Sequence, residues 1–140
     1  MSLYSKIARK DILSLRKYFL NKYTTIDDSN IKNIRSEILN NKGFRINSFI
    51  KSVEFFNKNE FKDLLLHPQE HCFTLEEIEN YILKLNLKFC GFLGLKDEKN
   101  KFKSLYGENE ELLNLKLWKQ FENDNTKTFL GMYHFCLQKK

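Results

Sequence analysis

Apolar residues recur at helical spacing through the first third of the chain. The first run predicts a helix from about Tyr4 to Asn21, with one apolar face formed by Ile7, Ile12, Leu15, Phe19 and Leu20. A second amphipathic helix is predicted after the capping residues Asp28 and Ser29, ending at Gly43, with its apolar positions at Ile31, Ile34, Ile38 and Leu39. The chain therefore begins with two predicted amphipathic helices.

Shorter elements are predicted around Pro68, the only proline. A short helix through Ile46, Phe49 and Ile50, an irregular segment over residues 53–57 and a helix through Phe61 lead to it. Because proline lacks an amide hydrogen and restricts the preceding residue, the last of these helices should end at about His67. Thr74 and Glu77 then predict a capping box for a helix that runs to Leu85. Residues 68–73 are predicted to form the turn between the two helices.

Two later segments predict buried strands. Residues 87–95 and 128–138 have little polarity on either face, which is typical of strands covered on both sides. Between them the sequence predicts a polar loop over residues 96–107 and a helix over residues 109–123 with a broad apolar stripe. The predicted fold class is α+β, mainly helical, with an antiparallel pair formed by about residues 87–95 and 128–138. Two such strands do not make a stable sheet alone, so other elements must cover them.

Composition favours a single domain spanning residues 1–140. The chain is 41% hydrophobic, and its 13 Phe and six Tyr must supply much of the core. No segment approaches the length of an apolar membrane span and no signal peptide opens the chain, so a cytoplasmic location is expected. An odd number of widely spaced cysteines favours reduced thiols: Cys72, Cys90 and Cys136.

The net charge of +6 does not by itself indicate nucleic-acid binding. Most of the positive charge is lysine interspersed with Asn and Glu, and few arginines are available for bidentate phosphate contacts. Such runs usually form a solvated surface. Steep weakening of binding by salt would identify nucleic-acid binding if it occurred.

Reactive side chains concentrate around Pro68, at Asp63, His67, Gln69, Glu70, His71 and Cys72. A zinc site is poorly supported, because the proline breaks the helix that would bring the two histidines together and no second ligand pair follows. A Cys–His nucleophile pair lacks an orienting Asn or Asp. From these residues alone, the favoured interpretation is a structural connector whose histidines bond to backbone groups.

Three blocks along the chain carry a family resemblance. They are Leu3-Tyr4-Ser5 with Ala8-Arg9, Asp11 and Arg16, then residues 63–74 with residues 87–92, and finally Trp118-x-x-Phe121-Glu122 with Asn125, Phe129, Met132-Tyr133 and Phe135. In these blocks the chain resembles the C-terminal third of bacterial class I SAM-dependent methyltransferases, Rossmann-like enzymes that sometimes carry tetratricopeptide repeats. Lys10 and Cys72 depart from the family, which has Arg at the first position and often at the second.

The resemblance implies SAM as the cofactor of the full-length family but no cofactor in this chain. In that family SAM is held by a glycine-rich turn after the first strand and an acidic residue ending the second. The five glycines here are scattered, and no strand–Gly-x-Gly–helix unit can be drawn. The resemblance implies that the chain starts at the end of the fifth strand, with Met1-Ser2 as a cloning start or a truncated reading frame. Alone it should neither bind SAM nor transfer a methyl group.

The resemblance also implies a location for the substrate site. In the family the last strand is inserted between the fifth and the sixth, so residues 128–138 would have two neighbours, one of which is expected to be absent here. The segment between the first helix and Leu87 would lie over the SAM pocket. Glu70 and His71 are then candidate catalytic groups toward the methyl acceptor. The candidate substrate-binding residues are Tyr4, Ser5, His67, Gln69 and Tyr133. A protein side chain, a metabolite and a sugar stay open as acceptors.

Two kinds of partner follow from the predicted strands. Residues 128–138 should pair either with the missing methyltransferase core or with a second copy of the chain in a homodimer, because an open strand edge is a template for pairing. The rival hypothesis is a non-catalytic helical protein-interaction module. That module would expose an apolar groove and would need no cofactor site.

Overall fold

A computed structural model describes residues 1–23, 27–41, 50, 53–66, 70–108 and 110–140. The described residues form two compact units, which we call the helical unit, Lys10–Glu70, and the sheet unit, Met1–Arg9 with His71–Lys140. The mainly helical α+β fold class is confirmed. The single domain spanning residues 1–140 stays a prediction.

The helical unit is built from amphipathic helices around one apolar cluster. Its elements are α1 (Lys10–Lys22), α2 (Asp28–Asn40), α3 (Val53–Phe56) and α4 (Lys58–Leu66). Five of the nine predicted apolar positions are buried in this cluster, which also contains residues of the later helices: Leu15, Phe19, Ile31, Ile34, Ile38, Phe55, Phe61, Leu64 and Leu65. The prediction was wrong for Leu20 and Leu39, which are exposed, and for Ile7, which precedes α1. Helix α2 is capped by the Asp27 carboxylate, which accepts from the amides of Ser29 and Asn30.

Several boundaries in this unit differ from the predicted ones. Helix α1 begins at Lys10 instead of Tyr4, because residues 2–5 form a strand. Residues 53–56, predicted to be irregular, are helical. The helix predicted through Ile46 and Phe49 and the proline that should end α4 lie outside the described residues, and α4 itself ends at Leu66.

The sheet unit contains four strands, where two were predicted. Its elements in chain order are β1 (Ser2–Ser5), β2 (Cys72–Phe73), α5 (Leu75–Lys84), β3 (Leu87–Phe92), α6 (Lys96–Tyr106), a 3-10 turn (Glu111–Leu113), α7 (Leu115–Asp124) and β4 (Met132–Lys139). The sheet order is β2-β1-β4-β3, with β1 parallel to β2 and β4 antiparallel to both β1 and β3. The antiparallel pair was predicted, although β4 begins at Met132 instead of residue 128. The extra strands were missed because four and two residues are too few to show alternation.

The expectation that β4 lacks one neighbour is wrong over half of its length. Ser2 lies opposite His134 and Leu3 lies opposite Tyr133. The pairing extends to Met1, whose amino group donates to the Phe135 oxygen at 2.9 Å, while the Phe135 amide donates to the Met1 oxygen at 3.0 Å. Within the described part of the chain, no strand pairs with β4 beyond Phe135 on this side.

Aromatic rings fill the core of the sheet unit. The Trp118 ring stacks on Phe102 with centroids 4.1 Å apart, and Phe92, Phe129 and Tyr133 pack beside them. Phe102 lies on α6, in the segment predicted to be a polar loop. That prediction failed because α6 is charged on most of its surface and has Phe102 as its one fully buried side chain.

The predicted start of α5 is confirmed. The Glu77 amide donates to the Thr74 hydroxyl, and the Thr74 amide donates to the Glu77 carboxylate at 2.7 Å, which completes the capping box. The buried face of α5 then begins at once with Leu75 and Ile78. Of the helices in the described ranges, none has the length and apolar character to cross a membrane.

Candidate functional site

A buried carboxylate joins two of the predicted substrate-binding residues. The Ser5 hydroxyl donates to Glu122 Oε1 at 2.6 Å, and the Tyr133 hydroxyl lies 2.9 Å from both oxygens of the same carboxylate. Ser5 and Tyr133 are fully buried and Glu122 is 1% exposed. We call Ser5, Glu122 and Tyr133 the carboxylate cluster.

Burial dominates the electrostatics of this cluster. Removal from water raises the pKa of the Glu122 carboxyl, and the hydrogen bonds from Ser5 and Tyr133 offset part of that rise. Burial and the neighbouring Glu122 charge raise the pKa of the Tyr133 phenol, so this hydroxyl keeps its proton. The cluster is therefore suited to holding protons in place instead of releasing them.

Three elements meet at the carboxylate cluster. Ser5 ends β1, and its hydroxyl also accepts from the Ala8 amide at 3.1 Å, which fixes the turn that follows the strand. Tyr133 lies on the core face of β4. Glu122 lies on α7, four residues after Trp118 and on the same buried face. Sequence reasoning gave Glu122 no role, although this helical spacing could have shown that it is buried.

Tyr4 and Arg9 form a second feature at the end of β1. The Arg9 guanidinium carbon lies 4.2 Å from the centroid of the Tyr4 ring, a cation–π contact. Tyr4 points to the opposite side of β1 from Ser5, since successive side chains of a strand alternate. Both residues are half-buried, so part of each faces solvent.

Glu70 belongs to the helical unit and is held in an ion pair. Arg16 Nη2 donates to Glu70 Oε2 at 2.8 Å and to the Leu64 carbonyl oxygen at 2.7 Å, and Arg16 Nε donates to the Leu65 oxygen at 3.0 Å. The Glu70 side chain is 3% exposed. Arg16 thus satisfies carbonyl groups near the end of α4 and neutralises the buried carboxylate. The sequence patterns did not reveal this role of Arg16, a charged residue among the apolar positions of α1.

Three more of the predicted site residues come from the Pro68 segment. His71 belongs to the sheet unit and is exposed. His67 and Gln69 lie outside the described residues, so their predicted clustering with Glu70 and His71 stays a prediction. Of the predicted site residues, Ser5 and Tyr133 are brought together by Glu122, and Tyr4 adjoins Ser5 in β1.

Neither a metal centre nor a nucleotide-type turn occurs in the described parts of the chain. No group of three or more His, Cys, Asp or Glu side chains there could hold a metal ion. The turn between β3 and α6 contains Gly94, but Lys99 Nζ donates to the Phe92 oxygen at 2.7 Å across it. No Gly-x-Gly pair stands between a strand and a helix among the described residues.

The known protein families offer no match. No family model matches the chain, and no curated protein sequence shows significant similarity to it.

An apolar groove of about 260 Å³ opens in the sheet unit beside the unpaired part of β4. Its lining is almost wholly apolar and comes from β1, β2, α5, β3 and β4: Met1, Leu3, Phe73, Ile78, Tyr81, Ile82, Leu85, Leu87, Phe135 and Leu137. The rival interaction-module hypothesis predicts a groove of this kind.

Proposed function

We propose that this chain is the C-terminal, substrate-facing portion of a class I SAM-dependent methyltransferase and that it is inactive without a SAM-binding core. The observation that supports the proposal is the position of the last strand. Strand β4 lies between β1 and β3 and is antiparallel to both, which is the arrangement the family resemblance implies for its final three strands. A cytoplasmic location is part of the same proposal.

In this proposal the substrate binds at the C-terminal end of β1. Open α/β sheets bind their ligands beyond the carboxyl ends of parallel strands, and Tyr4 and Ser5 close β1 at that end. Ser5 is fully buried, so its part is to hold the following turn against Glu122 and Tyr133. Tyr4, half-buried beside Arg9, is the side chain that would contact the acceptor.

Methyl transfer from SAM to an amine or a hydroxyl requires that the acceptor be positioned and lose a proton. His71 is exposed, and in this proposal its imidazole accepts that proton. Glu70, already paired with Arg16, suits an orienting hydrogen bond better than proton transfer. His67 and Gln69 stay candidate substrate-binding residues, and in this proposal the chemical class of the acceptor is an amine or a hydroxyl.

The test compares two lengths of polypeptide. The genomic reading frame upstream of Leu3 is expressed together with these residues, and calorimetric titration with SAM is run on the extended protein and on the 140-residue chain. We expect binding by the extended protein alone, because the described residues contain no glycine-rich strand-to-helix turn. Micromolar SAM affinity in the 140-residue chain would contradict the fragment proposal. Failure of the extended protein to bind would contradict the methyltransferase proposal.

The second candidate function is a non-catalytic protein-interaction module, and the apolar groove of the sheet unit favours it. A contiguous apolar surface beside an unpaired strand suits a protein partner better than a polar metabolite. The same titration discriminates the two candidates. An extended protein without SAM affinity, and with no glycine-rich motif in its upstream sequence, would favour the interaction module.

A further inference from the structure

Two exposed cysteines lie on the solvent-facing side of the β3–β4 pair. Phe135 and Leu137 of β4 belong to the core side, so Cys136 between them points to the opposite face, where it is exposed. On β3 the buried Phe89 is followed by the exposed Cys90. Both thiols are free and face the same side of the sheet.

A β-bulge in the strand pairing places Cys90 next to Gly91, the residue that pairs with Cys136. Phe89 pairs with Leu137 and Gly91 pairs with Cys136, so Cys90 is the extra residue of a β-bulge. In a bulge two residues of one strand face one residue of the other, which here sets Cys90 and Gly91 against Cys136. Directly opposed residues of antiparallel strands have Cα atoms about 4.5–5.5 Å apart. Gly91 and Cys136 are such a pair, and Cys90 directly precedes Gly91 in the bulge. A disulfide spans about 4.4–6.8 Å between Cα atoms, so Cys90 is the cysteine placed to bond with Cys136.

We propose that Cys90 and Cys136 form a reversible dithiol–disulfide site on the sheet unit, independent of the proposed methyltransferase role. The substrate class is a low-molecular-weight disulfide such as oxidised glutathione. In the reduced protein the Cys90 thiol lies 3.6 Å from the Lys88 carbonyl oxygen of its own strand, so its side chain must turn toward Cys136 for the bond to form. The product is a covalent link between β3 and β4.

The reaction balances through two exchange steps. One cysteine, deprotonated to the thiolate, attacks a sulfur of oxidised glutathione, forming a mixed disulfide and releasing one glutathione thiolate. The second cysteine, also as thiolate, attacks the protein sulfur of that mixed disulfide and releases the other glutathione. Two protein thiols are oxidised, one glutathione disulfide is reduced to two thiols, and the protons lost by the cysteines pass to the released thiolates.

The experiment equilibrates the 140-residue protein in glutathione buffers of increasing oxidised fraction. Samples are quenched with acid, the remaining thiols are alkylated, and the products are mapped by mass spectrometry. We expect a Cys90–Cys136 cross-linked peptide with Cys72 alkylated, and the same result in a Cys72→Ser variant. In Cys90→Ser we expect Cys136 to accumulate as the mixed disulfide, because the second step has lost its nucleophile.

A denatured control separates a site built by the fold from random pairing. The equilibrium constant for the Cys90–Cys136 bond should be at least about tenfold larger in native buffer than in guanidinium chloride, since the sheet holds the two residues together only when folded. The proposal is overturned if both cysteines carry glutathione without becoming linked. It is also overturned if the bond involves Cys72 or a second chain, or if denaturation leaves the constant unchanged.

Discussion

The carboxyl group of Glu122 is almost wholly buried, which distinguishes it from the surface carboxylates of the chain. Glu122 accepts from two hydroxyls that are themselves buried, so each member of the carboxylate cluster depends on the others for its hydrogen bonds. A buried polar group without a hydrogen-bond partner costs more free energy than a typical hydrogen bond contributes to stability. The cluster therefore couples the end of β1 to α7 and β4.

The stability contributed by Glu122 should depend on pH. Its pKa is raised above the ordinary value of 4.5 by burial, so the folded protein binds the proton more tightly than the unfolded chain does. That contribution is complete below about pH 4.5 and is lost as the pH rises through the folded-state pKa. In denaturant unfolding experiments, the free energy of unfolding of the wild type should therefore fall relative to that of Glu122→Gln as the pH rises above about 4.5. The glutamine side chain of this variant does not titrate, so the variant serves as the reference.

The matched control for this prediction is Glu110→Gln, at an exposed glutamate. It should track the wild type at every pH. Glu122→Ala, which leaves two buried hydroxyls without their acceptor, should cost about 1–3 kcal/mol. The assignment would be refuted if the free energy of unfolding of the wild type, minus that of Glu122→Gln, stayed constant from pH 4 to pH 8 or rose with pH.

At the scale of the elements, local signals with a clear mechanism were predictable and context-dependent ones were not. The capping box at Thr74 and the apolar faces of α1 and α2 follow from residue spacing alone. Strand β1 is held by hydrogen bonds to β4 and β2, and β2 is held by β1. Such partners are distant in sequence, so the short segments themselves do not indicate a strand. The buried position of Glu122 was encoded in helical spacing, but a carboxylate is normally exposed. The ion pair of Glu70 with Arg16 joins residues 54 positions apart, beyond any local pattern.

The cap of α5 offers an element-scale prediction. Thr74→Ala removes the acceptor of the Glu77 amide and should lower the free energy of unfolding by about 1 kcal/mol, measured by denaturant titration. Ser104→Ala is the control, because the Ser104 hydroxyl bonds to the Lys101 oxygen within α6 and caps nothing. Equal effects of the two substitutions would show that the capping box contributes no stability.

At the scale of the whole molecule, the unpaired part of β4 limits where the predicted homodimer could form. The backbone groups of Phe135 bond to Met1 and so face β1. Backbone groups on this side recur every second residue, so those of Leu137 and Lys139 point to the same side, which is open there because no strand of the described residues pairs with them. The Leu93 amide donates to the His134 oxygen, so the even-numbered residues face β3. The predicted homodimer can therefore use only the last residues of β4, instead of the whole segment 128–138.

Proline substitutions at adjacent positions test this homodimer. Lys139→Pro removes an amide on the open side and should abolish a dimer of about twice 16.9 kDa, seen by light scattering, without weakening the fold. Gln138→Pro removes an amide that faces β3 and should destabilise the sheet unit. A wild-type monomer at every concentration would contradict the dimer, and a dimer that persists in Lys139→Pro would place its interface elsewhere.

The pairing of β1 with β4 also sets the order in which the chain can fold during synthesis. Ser2 and His134 are 132 positions apart, so β1 leaves the ribosome on the order of ten seconds before its central partner exists. The helical unit is continuous in sequence and can form in that interval. Leu3 and the apolar sides of α5 and β3 lack the neighbouring strand β4 during this interval. Until β4 emerges, these apolar segments stay exposed and could be bound by a chaperone that recognises exposed apolar segments.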